Sequence, residues 1–125
     1  MAGREGGVKA LFRRFTASEQ ELEAEDLQRA SEKAGAMSVC DCSRGTSVTV
    51  SGRLRSVVYT PKTNLPTLEA ELFDGSGTVT LVWLGRRRIV GIEPGRRLSA
   101  TGRLALDGDR KVLYNPFYEL EATSG

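Results

Sequence analysis

Two spacings of apolar residues divide this chain. From Ser18 to about Ala34 they recur at helical intervals, with Leu22, Leu27, Ala30 and Ala34 forming a thin stripe in a charged segment. This predicts a helix over about 18–34. Ser18-Glu19-Gln20-Glu21 reads as a capping box, in which the Ser18 hydroxyl accepts from a backbone N–H of the first turn and Glu21 reaches back. Acidic residues crowd the first turns, Arg29 and Lys33 the last, and Gly35 supplies a stop. The stripe is thin, so docking is expected through Leu22 and Leu27 only. Further upstream, Val8, Leu11, Phe12 and Phe15 have the spacing of one or two amphipathic turns.

From Thr46 onward apolar and polar residues alternate in short runs, the pattern of half-buried strands. The first run starts near Thr46, with Val48, Val50 and Leu54 inward and Thr49, Ser51, Arg53 and Arg55 outward. Gly52 within it marks a sharp bend, and the alternation slips near Ser56-Val57-Val58 as at a bulge. A loop bounded by Pro61 and Pro66 follows. Thr67–Phe73 and Thr78–Leu84 form a hairpin through Asp74-Gly75-Ser76-Gly77. Arg97–Leu106 follows the turn Glu93-Pro94-Gly95, and Arg110–Tyr114 follows the tip Asp107-Gly108-Asp109. Pro116, which cannot donate to a ladder, ends the last run. Five short strands so spaced predict one small closed barrel. Its inward set is Val48, Val50, Leu54, Leu68, Ala70, Leu72, Val79, Leu81, Leu98, Ala100 and Leu104. The chain thus divides into a helical extension and connector (1–45), a barrel (46–120) and a tail (121–125).

Composition narrows the chemistry. The chain has 125 residues and no histidine, which removes the commonest general base. Its two cysteines, Cys40 and Cys42, are too few for a tetrahedral metal site and badly placed for a mutual disulfide. They read as reduced thiols, and with no apolar run long enough to span a membrane, a cytoplasmic protein is expected. No nucleotide phosphate loop or other cofactor motif occurs. No catalytic residue, metal or cofactor is therefore expected, and the protein is expected not to be an enzyme. The net charge of +2 is uneven. Residues 1–45 carry 7 Lys/Arg against 8 Asp/Glu, and residues 46–125 carry 11 against 8. The cations are mostly arginine, which suits phosphate contact and base stacking.

Several stretches carry a resemblance: the bent first strand with its central glycine, Leu68–Phe73, Asp74-Gly75-Ser76-Gly77, Pro94-Gly95, and the ending Asn115-Pro116-x-Tyr118-Glu119-Leu120. Over about 46–120 these resemble an OB-fold domain, above all the wedge-domain barrel of RecG-type DNA helicases, and more distantly bacterial single-strand-binding and anticodon-binding barrels. The capped helix together with Leu81–Arg88 is similar to small stand-alone actinobacterial proteins described as OB-fold nucleic-acid-binding. The resemblance implies an all-β five-stranded OB-fold barrel with an N-terminal α-helical extension. It also implies a non-enzymatic module that binds single-stranded or branched nucleic acid weakly and without strong sequence preference, DNA ahead of RNA.

In such barrels oligonucleotides lie across strands 2 and 3, between the 1–2 and 4–5 loops. The site expected on that basis comprises Arg53, Arg55, Lys62, Phe73, Arg86, Arg87 and Arg88. Phe73 is the one aromatic expected on the outer strand face. Glu69 and Glu71 lie on the same face and oppose a phosphate backbone. Arg86–Arg88 reads either as a phosphate clamp or as a solvated loop paired with Glu93. Trp83 and Tyr118 read as structural, Trp83 because it shares parity with Val79 and Leu81. The competing reading is a protein-interaction adaptor whose barrel or N-terminal helix docks a protein partner or a second copy of the chain.

Overall fold

The computed structural model describes residues 17–61 and 64–122, so the expectation of amphipathic turns at 8–15 lies outside the described residues. The helix α1 spans Ala17–Lys33. It ends as Gly35 demands: Gly35 takes a φ of 75°. The Gly35 N–H donates to Glu32 O and the Ala36 N–H to Ser31 O, both at 3.0 Å, which is a Schellman closure. Ser18 falls inside the helix rather than ahead of it as its cap. The docking face also differs from the expected one. Leu27 and Ser31 are buried while Leu22 is 59% exposed, so the helix rests on its second half and its small residues. Ala24 approaches the turn after β2 so closely that a Cβ on Gly75 would collide with the Ala24 carbonyl.

The six strands are β1 (Ser47–Thr60), β2 (Thr67–Phe73), β3 (Thr78–Leu84), β4 (Arg97–Asp107), β5 (Arg110–Tyr114) and β6 (Phe117–Leu120). The first half of β1 pairs antiparallel with β4 and the second half with β2. β3 pairs antiparallel with β2 and parallel with β5, and β4 pairs with β5. The ring β1-β2-β3-β5-β4-β1 therefore closes, which is the OB-fold barrel. β6, not foreseen from the sequence, resumes pairing on β4 beyond the Pro116 break.

β1 serves both halves of the ring because of two local features. Arg53 pairs with Arg97 on β4 and with Phe73 on β2, so the strand changes partner there. At Gly52 a Cβ would run into the Phe73 carbonyl, so only glycine lets the two backbones approach. The ladder then slips between Leu54 and Ser56, the expected bulge.

All eleven residues expected inward are buried. The connector between β3 and β4, residues 85–96, adds Ile89 and Ile92 to the same core. The 3₁₀ turn Val39–Asp41 closes another part of it with Val39, followed by Cys42. Trp83 is 5% exposed and meets Tyr118 edge-on at 5.7 Å, a structural pair as expected.

Candidate functional site

The outer surface of β1, β2, β3 and β5 is the face on which a ligand would lie. Register places Val58, Glu69, Val82 and Tyr114 in one row across the four strands. Thr60, Thr67 and Leu84 form the next row toward the loop after β1. Val58, Leu84 and Tyr114 are exposed, whereas Thr67 and Val82 in the same rows, and Thr80 in the row beyond, are buried. The Arg110 guanidinium reaches from β5 across β3 to β2, where it bonds Glu69 Oε1 at 3.2 Å. Its second nitrogen holds Asp107 Oδ2 at 2.8 Å. These two hydrogen bonds raise the Arg110 pKa. Glu69 is thus paired with a cation rather than facing solvent as a bare carboxylate, while Glu71 remains exposed on the same face.

Asn115 sets the rim next to Tyr114. It takes a φ of 48°, which asparagine tolerates better than most residues. Its N–H donates to Val82 O at 2.6 Å, and its Oδ1 accepts from the Leu84 N–H at 3.0 Å. Leu84 and Tyr114 are thereby fixed on adjacent strand ends. Tyr114 is an exposed aromatic that sequence reasoning missed on this face. Its parity with Val112 was readable, but inward and outward could not be told apart on a five-residue strand whose Val112 and Leu113 are both buried.

The expected site residues separate into two groups. Arg53, Arg55 and Phe73 come together at the β1 bend. The Arg55 guanidinium lies over the Phe73 ring, 3.7 Å from its centroid, so Phe73 is a covered ring rather than an open platform. Arg53 forms an ion pair with Glu23 of α1. Burial first, then Arg97 and Arg55, lowers the Arg53 pKa. With Gln20 and Glu23 these residues line a cleft of about 610 Å³.

Arg86, Arg87 and Arg88 lie at the other end of the strand pair, directly after β3. Six residues of strand separate the ends, about 20 Å at the usual rise. All three arginines are exposed, and none makes an ion pair with another described residue, so the suggested pairing with Glu93 is not formed. Lys62 lies outside the described residues.

The turn Asp74-Gly75-Ser76-Gly77 does more than reverse the chain. Asp74 is 1% exposed. Its Oδ1 accepts from the Ser76 N–H at 2.8 Å, the Ser76 hydroxyl at 2.7 Å and the Gly77 N–H at 3.0 Å. Its Oδ2 accepts from the Val39 N–H at 2.8 Å, which ties the connector to the barrel. Beside it, Lys111 Nζ donates to Val39 O at 2.7 Å. Among the described residues no group of three or more His, Cys, Asp or Glu side chains is placed to hold a metal ion. No described helix is long and apolar enough to cross a membrane.

No family model matches the chain, and no curated protein matches it. Among solved structures it is similar to RecG bound to a three-way DNA junction, with 23% identity and a TM-score of 0.57 over 71% of this chain and 13% of that chain. It is also similar to the HINb domain of p204, with 21% identity and a TM-score of 0.57 over 75% of this chain and 49% of that chain. The chain therefore matches a small part of RecG and about half of the p204 chain. At these identities the likeness concerns the fold, and it agrees with the RecG resemblance read from the sequence. The chain is an OB-fold-like barrel with an N-terminal helix, and its fold is similar to part of RecG and to the p204 HINb domain.

Proposed function

We propose that the protein is a non-enzymatic module that binds single-stranded or branched nucleic acid, DNA ahead of RNA, weakly and without strong sequence preference. The observation that carries this reading is the composition of the outer strand face. It holds an exposed aromatic, Tyr114 on β5, beside exposed Leu84 on β3, with exposed Val58 across the face on β1, Arg86–Arg88 beyond one end of the strands and Arg53 and Arg55 at the other. A base stacks on Tyr114 through its π-face, which every base has, so contact there carries little sequence information. The arginines contribute a phosphate term that is likewise independent of sequence. The RecG chain that shares the fold is bound to a three-way DNA junction, which agrees with branched DNA as a ligand.

Two features keep the binding weak. Glu71 leaves an exposed carboxylate on the face, and Arg53 and Arg110 are already paired with Glu23 and Glu69. Fluorescence anisotropy with a labelled single strand and a labelled three-way junction at low salt tests the proposal. Tyr114→Ala is expected to cost about 1–3 kcal/mol for single strands. Each phosphate-contacting arginine lost from Arg86–Arg88 is expected to flatten the salt dependence by about 0.7 units of slope. Absence of any salt-dependent binding would remove the proposal. It would leave the adaptor reading, which the exposure of Val90 (85%) and Phe117 (70%) favours.

A further inference from the structure

The contact between α1 and the β1 bend is electrostatically one-sided. α1 carries six acidic residues (Glu19, Glu21, Glu23, Glu25, Asp26, Glu32) against Arg29 and Lys33, a net charge of −4. Beneath it, Arg53 and Arg55 line one cleft with Phe73, the β2 register partner of Arg53, and Arg97 is the register partner of Arg53 on β4. Arg55 is held in place by the Phe73 ring. Two guanidiniums in one cleft favour an anion beside them, and Glu23 supplies one through its ion pair with Arg53. The surrounding cleft, about 610 Å³ and lined by Gln20, Glu23, Arg53, Arg55 and Phe73, leaves room beside that carboxylate.

We infer that Arg53 and Arg55 form a phosphodiester subsite, that the Glu23 carboxylate occupies it in the free protein, and that a backbone phosphate of the bound strand takes Glu23's place. This rests on the proposed function and deepens it, because it makes α1 a built-in competitor for one end of the interface. The pair is partly solvent-exposed, with side-chain exposures of 35% for Arg53 and 26% for Glu23. A partly exposed pair of this kind is weak, so exchange costs little. The exchange is of one anion for another, and no bond is made or broken.

The test uses the full chain and a fluorescein-labelled oligothymidylate, with anisotropy measured across a salt series. Glu23→Gln keeps the shape and removes the charge. It is expected to tighten binding about two- to fivefold and to steepen the slope of log K against log salt by about 0.7, since Arg53 then exchanges a small counterion for phosphate. Glu25→Gln removes the same charge from an exposed position on the same helix. It is expected to change affinity by less than half as much on the logarithmic scale. Adding Arg53→Gln to Glu23→Gln is expected to abolish the gain, with circular dichroism verifying that each variant remains folded. Binding by wild type with equal gains in both glutamine variants would overturn the subsite in favour of a general charge effect. Binding by wild type with no gain in Glu23→Gln would overturn it outright and leave the proposed function standing. Failure of wild type and Glu23→Gln alike to bind would overturn both.

Discussion

Replacing Asp74 isolates the hydrogen-bonded junction between the β2–β3 turn and the connector. Asparagine keeps the volume and one oxygen, but with that oxygen on the turn its amide nitrogen faces the Val39 N–H, donor against donor. The change removes one charge-assisted hydrogen bond, about 1.5–3 kcal/mol, and leaves a buried N–H unpaired, about 1–3 kcal/mol. These two quantities overlap, because the first measurement partly contains the second, so about 2–4 kcal/mol is expected for Asp74→Asn. Alanine removes all four acceptor contacts and leaves a void, which raises the expected loss to about 3–5 kcal/mol. Urea unfolding followed by Trp83 fluorescence measures this directly, since Trp83 is the only tryptophan and is buried against Tyr118. A loss below about 0.5 kcal/mol for Asp74→Ala would refute the reasoning, because it would mean that water serves these donors as well as the carboxylate does.

Three further expectations follow from the packing and the face. Leu72→Ala and Leu81→Ala, both fully buried in the barrel, should each cost about 2–5 kcal/mol in the same assay. Converting Glu69 and Glu71 together to Gln should tighten binding of a single strand in anisotropy, because two carboxylates leave the face and Arg110 keeps only one of its two charged partners, Asp107. Burial pushes the Cys42 thiol's pKa up, so a thiol reagent should modify exposed Cys40 well before Cys42. The same shift has a fixed sign for stability. A thiol kept neutral in the fold contributes fully below its unfolded pKa, and that contribution is lost as pH rises toward the higher folded value. Cys42→Ser should therefore flatten the decline of stability on the alkaline side.

The barrel was legible because one rule governs it. Strand alternation, with Gly52 and the slip at Ser56, correctly orients the eleven expected inward residues of β1 to β4 once the turns are located, and β2, β3 and β5 match their expected limits. β6 was not legible: Pro116 reads as an end, and only the closing ring shows that β4 has a free edge beyond it. Asp74 was read as a turn residue because its Oδ2 partner, the Val39 N–H, is 35 residues away, and no local pattern announces that contact. The same limit applied to the site. Parity correctly placed Arg53, Arg55 and Phe73 outward, but not that Glu23 would hold one and that the other two would cover each other. Leu22 shows the opposite error, since a helical stripe identifies apolar positions without saying which of them meets the barrel.

The central claim is that a strand of nucleic acid lies across the outer face of β2 and β3. Titration of the ¹⁵N-labelled protein with an unlabelled single-stranded oligonucleotide, followed by amide chemical shifts, tests it most directly. The expected result is a contiguous set of shifts at Val58, Glu69, Val82, Leu84 and Tyr114, continuing into Arg86–Arg88 and diminishing as salt is raised. Shifts confined to β6 and the far side of β4, or no shifts at low salt, would contradict it.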